Sequence, residues 1–379
     1  MDFQFNDEQE ELRSIARAFL EEHCGSEQVR KAMESELGFD AALWQQIGAE
    51  LGWTSVHIPE SYGGLGLGYV ELVALMEIMG EVLVCAPFFS SIALGANALI
   101  EAGTEAQQQE HLPGIAGGAT RATLAFAGQS GRADADAIGV RARRDGDDYV
   151  LDGIHSFVLD GHSADLVIVA ARAEGSTGGD GVSLFALPGG HAGLARRPLP
   201  TMDQTRRLAE LTFSSARVPA AALMGEEGGA WPALSRTLQL ACVALAAEQV
   251  GGAQRCLDSS VAYACEREQF GRPIGSFQAI KHKCADMMVE VESARSAAYY
   301  AGCVAAERSD ELAACASLAK AYCSDAYFRC AADAIQIHGG VGFTWEYDCH
   351  LHLKRAKSSE SFLGEPTYHR ELVAQEIGL

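Results

Sequence analysis

From Trp231 to His338 the chain carries an alanine-rich, helix-period pattern with only two breaks, and no other stretch restricts the possible folds as much. Helices of about 231–265, 276–307 and 311–338 are too long and too evenly apolar to stand singly in water. With a last helix at the C-terminus they are expected to bury one another as an antiparallel four-helix bundle. Before this stretch the pattern is different. RATLAFAG, IGVRARR, DYVLDG, DLVIVAAR, GVSLFALP and RLAELTFSS are short runs with β-branched residues, separated by Gly and Asp clusters. They predict a small antiparallel sheet or barrel. GSTGGDGV (175–182) reads as an exposed hairpin loop in it, and VPAAALMGEEGGAW (218–231) as its close. Upstream the pattern is helical again. Helices are predicted over 5–24, capped by Asn6 or Asp7, and after Asp40 with Leu43, Ile47 and Leu51 inward. Others are predicted over Tyr69–Met79, over Pro87–Ala102, and from Glu105 to Leu112, ending at Pro113–Gly114. The expected class is α+β: an N-terminal helical domain (1–118), a middle antiparallel β domain (119–228) and a C-terminal helical bundle (229–379).

Charge narrows the partners. Twenty-nine Lys and Arg face 51 Asp and Glu, a net charge of −22, which repels nucleic acid and anionic membrane surfaces. An anionic ligand would have to be held by local Arg side chains and helix N-termini. No window approaches a membrane span, and MDFQFNDEQEELR reads as a capped amphipathic helix rather than a cationic leader, so a cytoplasmic location is expected. The eleven cysteines lie mostly in the alanine-rich helices, without a CxxC pair or zinc spacing. They read as small buried apolar side chains in a reducing compartment. His350 and His352 have no visible metal partner, so no metal is expected. His338 and His282 read as core or interface residues, and Trp231 and Trp345 as packing anchors.

Two glycine-punctuated stretches suggest a ligand. AIQIHGGVGFTWE (334–346) stops a helix at Gly339–Gly340, where backbone N–H groups can lie against a bound group, with Gln336 beside them. REQFGRPIGSFQ (267–278) is likewise a helix end, a Gly/Pro turn and a fresh helix start. Arg or Gln next to exposed backbone donors, twice, suits a phosphate-bearing cofactor.

These two stretches, with IPESYGGLG (58–66), GIHSFVLDG (153–161) and the LHLKRAK that follows Glu346, resemble the acyl-CoA dehydrogenase family in the same order across the whole chain. The resemblance implies FAD, an acyl-CoA thioester and a dimer of dimers. In that family a carboxylate takes the α-proton while hydride leaves the β-carbon for the flavin. It further implies that Arg267, with Phe270 beside it, contacts the FAD pyrophosphate and Gln278 the adenosine. Gln336 and the backbone of Ile337, Gly339 and Gly340 would line the adenine and diphosphate path. These groups serve an FAD bound mainly by the neighbouring subunit.

The departures carry as much information. The family's usual base position before a C-terminal Gly is Leu363 here, and the alternative on the first bundle helix is Ala241; neither accepts a proton. The run whose Thr bonds the isoalloxazine edge reads Ala125–Phe126–Ala127–Gly128. The Trp-Ile-Thr run reads Phe157–Val158–Leu159, where Phe157 still offers a ring to stack on. Groups that hold a neighbour's FAD are kept and those that use a flavin in the chain's own site are lost. This looks like the non-catalytic subunit of a heterotetrameric acyl-CoA dehydrogenase of bacterial steroid degradation, a branch that LPTMDQTRRL (199–208) also resembles. Small residues at 241, 244 and 251 would leave room for a bulky acyl group. Two other readings stay open. One is a self-sufficient enzyme with Glu365, or else Glu360, as a displaced base. The other is a reduced-flavin-dependent monooxygenase of the same fold.

Overall fold

A computed structural model describes residues 5–379. It is mixed α+β: a helical N-terminal part, a middle sheet and a long helical C-terminal part. Helices α1 (Asp7–His23), α2 (Ser26–Glu34), α3 (Ala41–Gln45), α4 (Tyr69–Glu81), α5 (Asn97–Ala102) and α6 (Glu105–Ala116) precede the sheet. Asn6 caps α1 reciprocally with Gln9, and Thr104 does the same for α6 with Gln107, so both starts are written in the sequence. Three expectations need correction. Gln46–Glu50 and Phe89–Ala96 wind as π-helix rather than α-helix. The last N-terminal helix does not stop at Pro113 but runs through it to Ala116, its final turn kept by Gly117 N–H donating to Pro113 O. α2 also forms where no helix was expected.

The strands are β1 (Ala122–Ala125), β2 (Val140–Asp145), β3 (Asp148–Leu159), β4 (Leu166–Ala173), β5 (Val182–Pro188), β6 (Leu194–Leu199), β7 (Leu208–Val218) and β8 (Leu223–Met224). Their order is β6-β7-β3-β2-β4-β5-β8, with β1 also on β4. The sheet is not wholly antiparallel, because β1 and β2 both run parallel to β4. β6 lay outside the strand runs read from the sequence: its Arg196, Arg197 and Pro198 give no alternation, as expected of an edge strand. The inner face gathers Val140, Tyr149, Leu151, Val167, Val169, Phe185, Leu211 and Phe213 into one buried cluster.

The C-terminal helices are α7 (Trp231–Glu266), α8 (Gln278–Ala306), α9 (Leu312–His338), α10 (Cys349–Ser361) and α11 (Pro366–Glu376); the expected single last helix is therefore two. A small hairpin, β9 (Glu268–Gln269) and β10 (Arg272–Pro273), separates α7 from α8.

By its contacts the chain forms two compact units. One holds the chain up to Lys31, Tyr69–Val84 and Cys242–Leu379; the other holds Ala32–Gly68 and Cys85–Ala241. In the first, glycines set the helix spacing. A Cβ on Gly80 would lie 2.0 Å from Glu248 O, and one on Gly251 1.8 Å from Glu77 O, so α4 and α7 touch backbone to backbone. α9 packs on α8, α10 and α11. The buried ion pair Glu248–Arg355 joins α7 to α10, and Tyr327 Oη meets His352 Nδ1 at 2.9 Å.

Candidate functional site

One end of the first unit assembles both glycine stretches. α9 stops because Gly339 takes φ 64°, and Gly340 follows with open space where a Cβ would stand. Tyr263, one turn before Arg267, stacks on His338 with ring centroids 4.3 Å apart, which places the end of α7 beside the end of α9. The β9–β10 hairpin turns on Phe270 and Gly271, both at positive φ, and leaves Phe270 92% exposed. Arg272 lies over the Phe277 ring at 4.2 Å. α8 then starts at Gln278 without a capping side chain. With the Ile280 and Lys281 N–H groups bonded to Phe277 O, the Gln278 and Ala279 amides at the start of this 29-residue helix are left for another partner, and the helix dipole favours an anion there. Arg267, Gln278 and Gln336 are exposed, and among the described residues none has a side-chain hydrogen-bond or ion-pair partner. Ile337 is buried and takes part only through backbone. Unpaired cation, uncapped helix and open glycine backbone together fit a phosphate-bearing group.

The two positions at which the resemblance leads one to expect a base are apolar and sealed. Ala241 is fully buried on α7. Leu363 is 3% exposed and sits at φ 63°, an uncommon conformation for a leucine. The turn is held from outside the leucine. Lys320 Nζ, itself fully buried, donates to Glu360 O (3.0 Å), Gly364 O (2.9 Å) and Ser324 Oγ (3.0 Å). His369 Nε2 meets Leu363 O at 3.0 Å, which makes that nitrogen the protonated one. Burial pushes the Lys320 ammonium down to about 8. Burial, and then the Lys320 charge, push His369 down to about 4. Glu365 is exposed at the start of α11 and makes no capping bond, while Glu360 pairs with Lys357 at 3.0 Å. Glu365 is therefore a surface group, and Glu360 is a half-buried carboxylate already held in an ion pair.

In the second unit, the segment Ala125–Gly128 and the end of β3 present little to a polar ring edge. Gly128 N–H donates to Ala137 O (2.7 Å) and Ser156 N–H to Ala127 O (3.0 Å), so these donors are already used internally. The Thr123 hydroxyl is turned inward to Leu159 O at 2.6 Å, and Leu159 is buried. Phe157, at φ 59° and 45% exposed, keeps its ring against Gly131. Neither the Thr123 hydroxyl nor the Gly128 and Ser156 amides are therefore free for a polar ring edge.

Sequence reading passed over Lys320 and His155. A lysine inside AACASLAKAYC is a visible signal, since a charge on an alanine-rich helix is buried only when fully bonded. His155 lies inside the GIHSFVLDG stretch, but nothing local marks it; its two carbonyl partners come from the segment after β1 and from β4.

Comparison with known proteins identifies the family. Family models described as the acyl-CoA dehydrogenase N-terminal, middle and C-terminal domains match residues 6–119, 123–216 and 228–378. The acyl-CoA dehydrogenase IpdE2 of Mycolicibacterium smegmatis is 36% identical over 373 residues, 98% of this chain and 99% of that protein. The butyryl-CoA dehydrogenase structure from Megasphaera elsdenii aligns over 100% of both chains with a TM-score of 0.93 and 29% identity. The ChsE4–ChsE5 complex from Mycobacterium tuberculosis aligns with a TM-score of 0.90 and 29% identity, over 100% of this chain and 99% of the compared one. Three domain matches in order, full-length relatives and a shared helix–sheet–helix architecture place this chain in the acyl-CoA dehydrogenase family, whose members are oxidoreductases.

Proposed function

We propose that this chain is the base-lacking subunit of a heteromeric acyl-CoA dehydrogenase. It completes an FAD site on a partner of the same family, and the complex desaturates an acyl-CoA thioester between its α- and β-carbons. The observation that carries the reading is the Leu363 turn. The turn is firmly held, with Lys320 bonded to the Glu360 and Gly364 carbonyls and His369 to the Leu363 carbonyl, yet the side chain it presents is apolar and buried. A proton cannot be taken from a thioester α-carbon by leucine, so a carboxylate must come from the partner. FAD, when bound, supplies the hydride acceptor. Arg267 and the α8 N-terminus would hold its pyrophosphate, with Phe270, Gln278, Gln336 and the Ile337–Gly340 backbone alongside. The complex would be a dimer of dimers. The similarity to the two-chain ChsE4–ChsE5 complex supports a heteromeric assembly, and the small residues at 241 and 244 favour a bulky, steroid-type acyl group; Gly251 is taken up by its contact with α4.

The test is the visible absorbance of the chain purified alone and then co-purified with a same-family partner encoded beside it. A colourless lone chain and a yellow pair with about one flavin per two chains is the expected outcome. A lone chain that carries flavin and is bleached by an acyl-CoA would overturn the reading and direct attention to Glu365.

A further inference from the structure

The glycine stretch that follows α9 is bonded within itself only over short range. Thr344 N–H and Oγ1 both donate to Val341 O, at 3.0 and 2.8 Å, while Gly340, Phe343 and Trp345 stand exposed. Its far end is tied to α2, in the same compact unit. Arg30 Nη2 donates to Tyr347 O at 3.3 Å and to Asp348 Oδ1 at 2.5 Å, and Arg30 Nε donates to Ser26 Oγ at 3.1 Å. Ser26 Oγ in turn donates to Asp348 Oδ1 at 2.7 Å. Asp348 opens α10, a place where a carboxylate ordinarily caps its own helix. Here it makes no such bond and turns instead to α2. The Arg30 guanidinium also lies over the Trp345 ring at 5.5 Å. The Tyr347 ring stands edge-on to His338 and Tyr263, with centroids 5.6 and 6.0 Å apart, against the stacked pair that sets the ends of α7 and α9 together.

We infer that Arg30 is a positioning residue for the phosphate site. It acts through the Tyr347 carbonyl and the Asp348 carboxylate, which fix the exit of the loop whose entry is Gly339. A loop with adjacent glycines at its entry has more backbone freedom than most to lose on binding. With both ends held, the Gly339–Gly340 backbone is ordered beforehand, and a bound group is spared the cost of immobilising it. The Arg30 and Asp348 side chains are 22% and 35% exposed, and an ion pair so open to solvent contributes little to global stability. Arg30 therefore bears on the order of this loop far more than on the melting of the chain. The inference rests on the reading that this glycine backbone faces the FAD diphosphate.

The experiment has two arms. The first is amide hydrogen exchange of the full chain purified alone, parent against Arg30→Gln. Exchange over 341–348 is expected to quicken by about ten-fold or more, as for the loss of a charge-assisted hydrogen bond, with α9 unchanged and melting close to the parent's. The second is titration of FAD into the flavin-stripped pair formed with the same-family partner. Arg30→Gln is expected to weaken FAD binding by about ten-fold or more, and Arg30→Lys, which keeps a cation for Asp348 but not the planar fork, to fall between it and the parent. Unchanged exchange over 341–348, or faster exchange with FAD affinity unaltered, would overturn the inference. A pair that takes up no flavin even with the parent chain would remove the proposed function instead. The exchange comparison is read on the lone chain without flavin, and still decides whether Arg30 holds the loop.

Discussion

Lys320 offers a stability experiment whose sign and size follow from the structure. Replacing it with methionine leaves Glu360 O and Gly364 O without their ammonium donor. An orphaned buried carbonyl costs about 1–3 kcal/mol, so the pair costs about 2–6. The parent carries an opposing penalty. Its ammonium is driven from 10.5 to about 8 by burial, which at about 1.4 kcal/mol per unit is about 3 kcal/mol at neutral pH. The two terms largely offset, and Lys320→Met is expected to lose only about 1 kcal/mol at pH 7. The pH dependence separates them. Because the folded pKa lies below the unfolded one, the unfolded chain holds a proton between pH 8 and 10.5 that the folded chain has released, and parent stability rises across that window. The variant has no such group. The difference between parent and variant should therefore widen by about 3 kcal/mol from pH 7 to pH 10.5, read by urea unfolding with matched m values. His369, relieved of the Lys320 charge, should titrate higher in the variant. Parallel pH profiles, with a gap constant to within about 0.5 kcal/mol, would refute the desolvation argument.

Four further outcomes are expected. Gly251→Ala places a methyl 1.8 Å from Glu77 O, and since backbone cannot yield, the urea midpoint should fall by more than about 3 kcal/mol's worth. Gly340→Ala meets nothing within 4 Å and should stay within about 0.5 kcal/mol of the parent. Arg267→Gln should strip flavin absorbance from the co-purified pair while leaving the lone chain's melting unchanged; retained colour would remove Arg267 from the phosphate site. On acidification, His369 stays neutral down to about 4 while its unfolded counterpart protonates near 6.5. Stability should therefore fall between those values by up to about 3 kcal/mol, and His369→Asn should flatten that limb.

Much of the binding end was legible because its signals are local. Gly339–Gly340 can be read as a helix stop from the letters alone, and Arg267 beside a Gly/Pro turn marks an exposed cation. The apolar residues at 241 and 363 are also plain in the sequence, although only the family resemblance makes them base positions. What local pattern could not report was hydrogen-bond destination. Neither the use of Gly128 and Ser156 amides by Ala137 and Ala127, nor the inward turn of Thr123, can be inferred from neighbours in sequence. The two π-helical stretches were read as ordinary helix because a one-residue change in winding barely alters an apolar pattern.

The sequence by itself determined the helix–sheet–helix order, the two glycine stops, the caps at Asn6 and Thr104 and the absence of a carboxylate at residues 241 and 363. Each depends on periodicity, cap chemistry or the bare identity of one residue. Tertiary structure decided how close α4 and α7 approach through Gly80 and Gly251, and which donors hold the Leu363 turn. It also decided that His155 lies between the Ala127 and Ala170 carbonyls. Those outcomes join groups from distant parts of the chain, and a buried carbonyl takes whichever donor the fold brings to it.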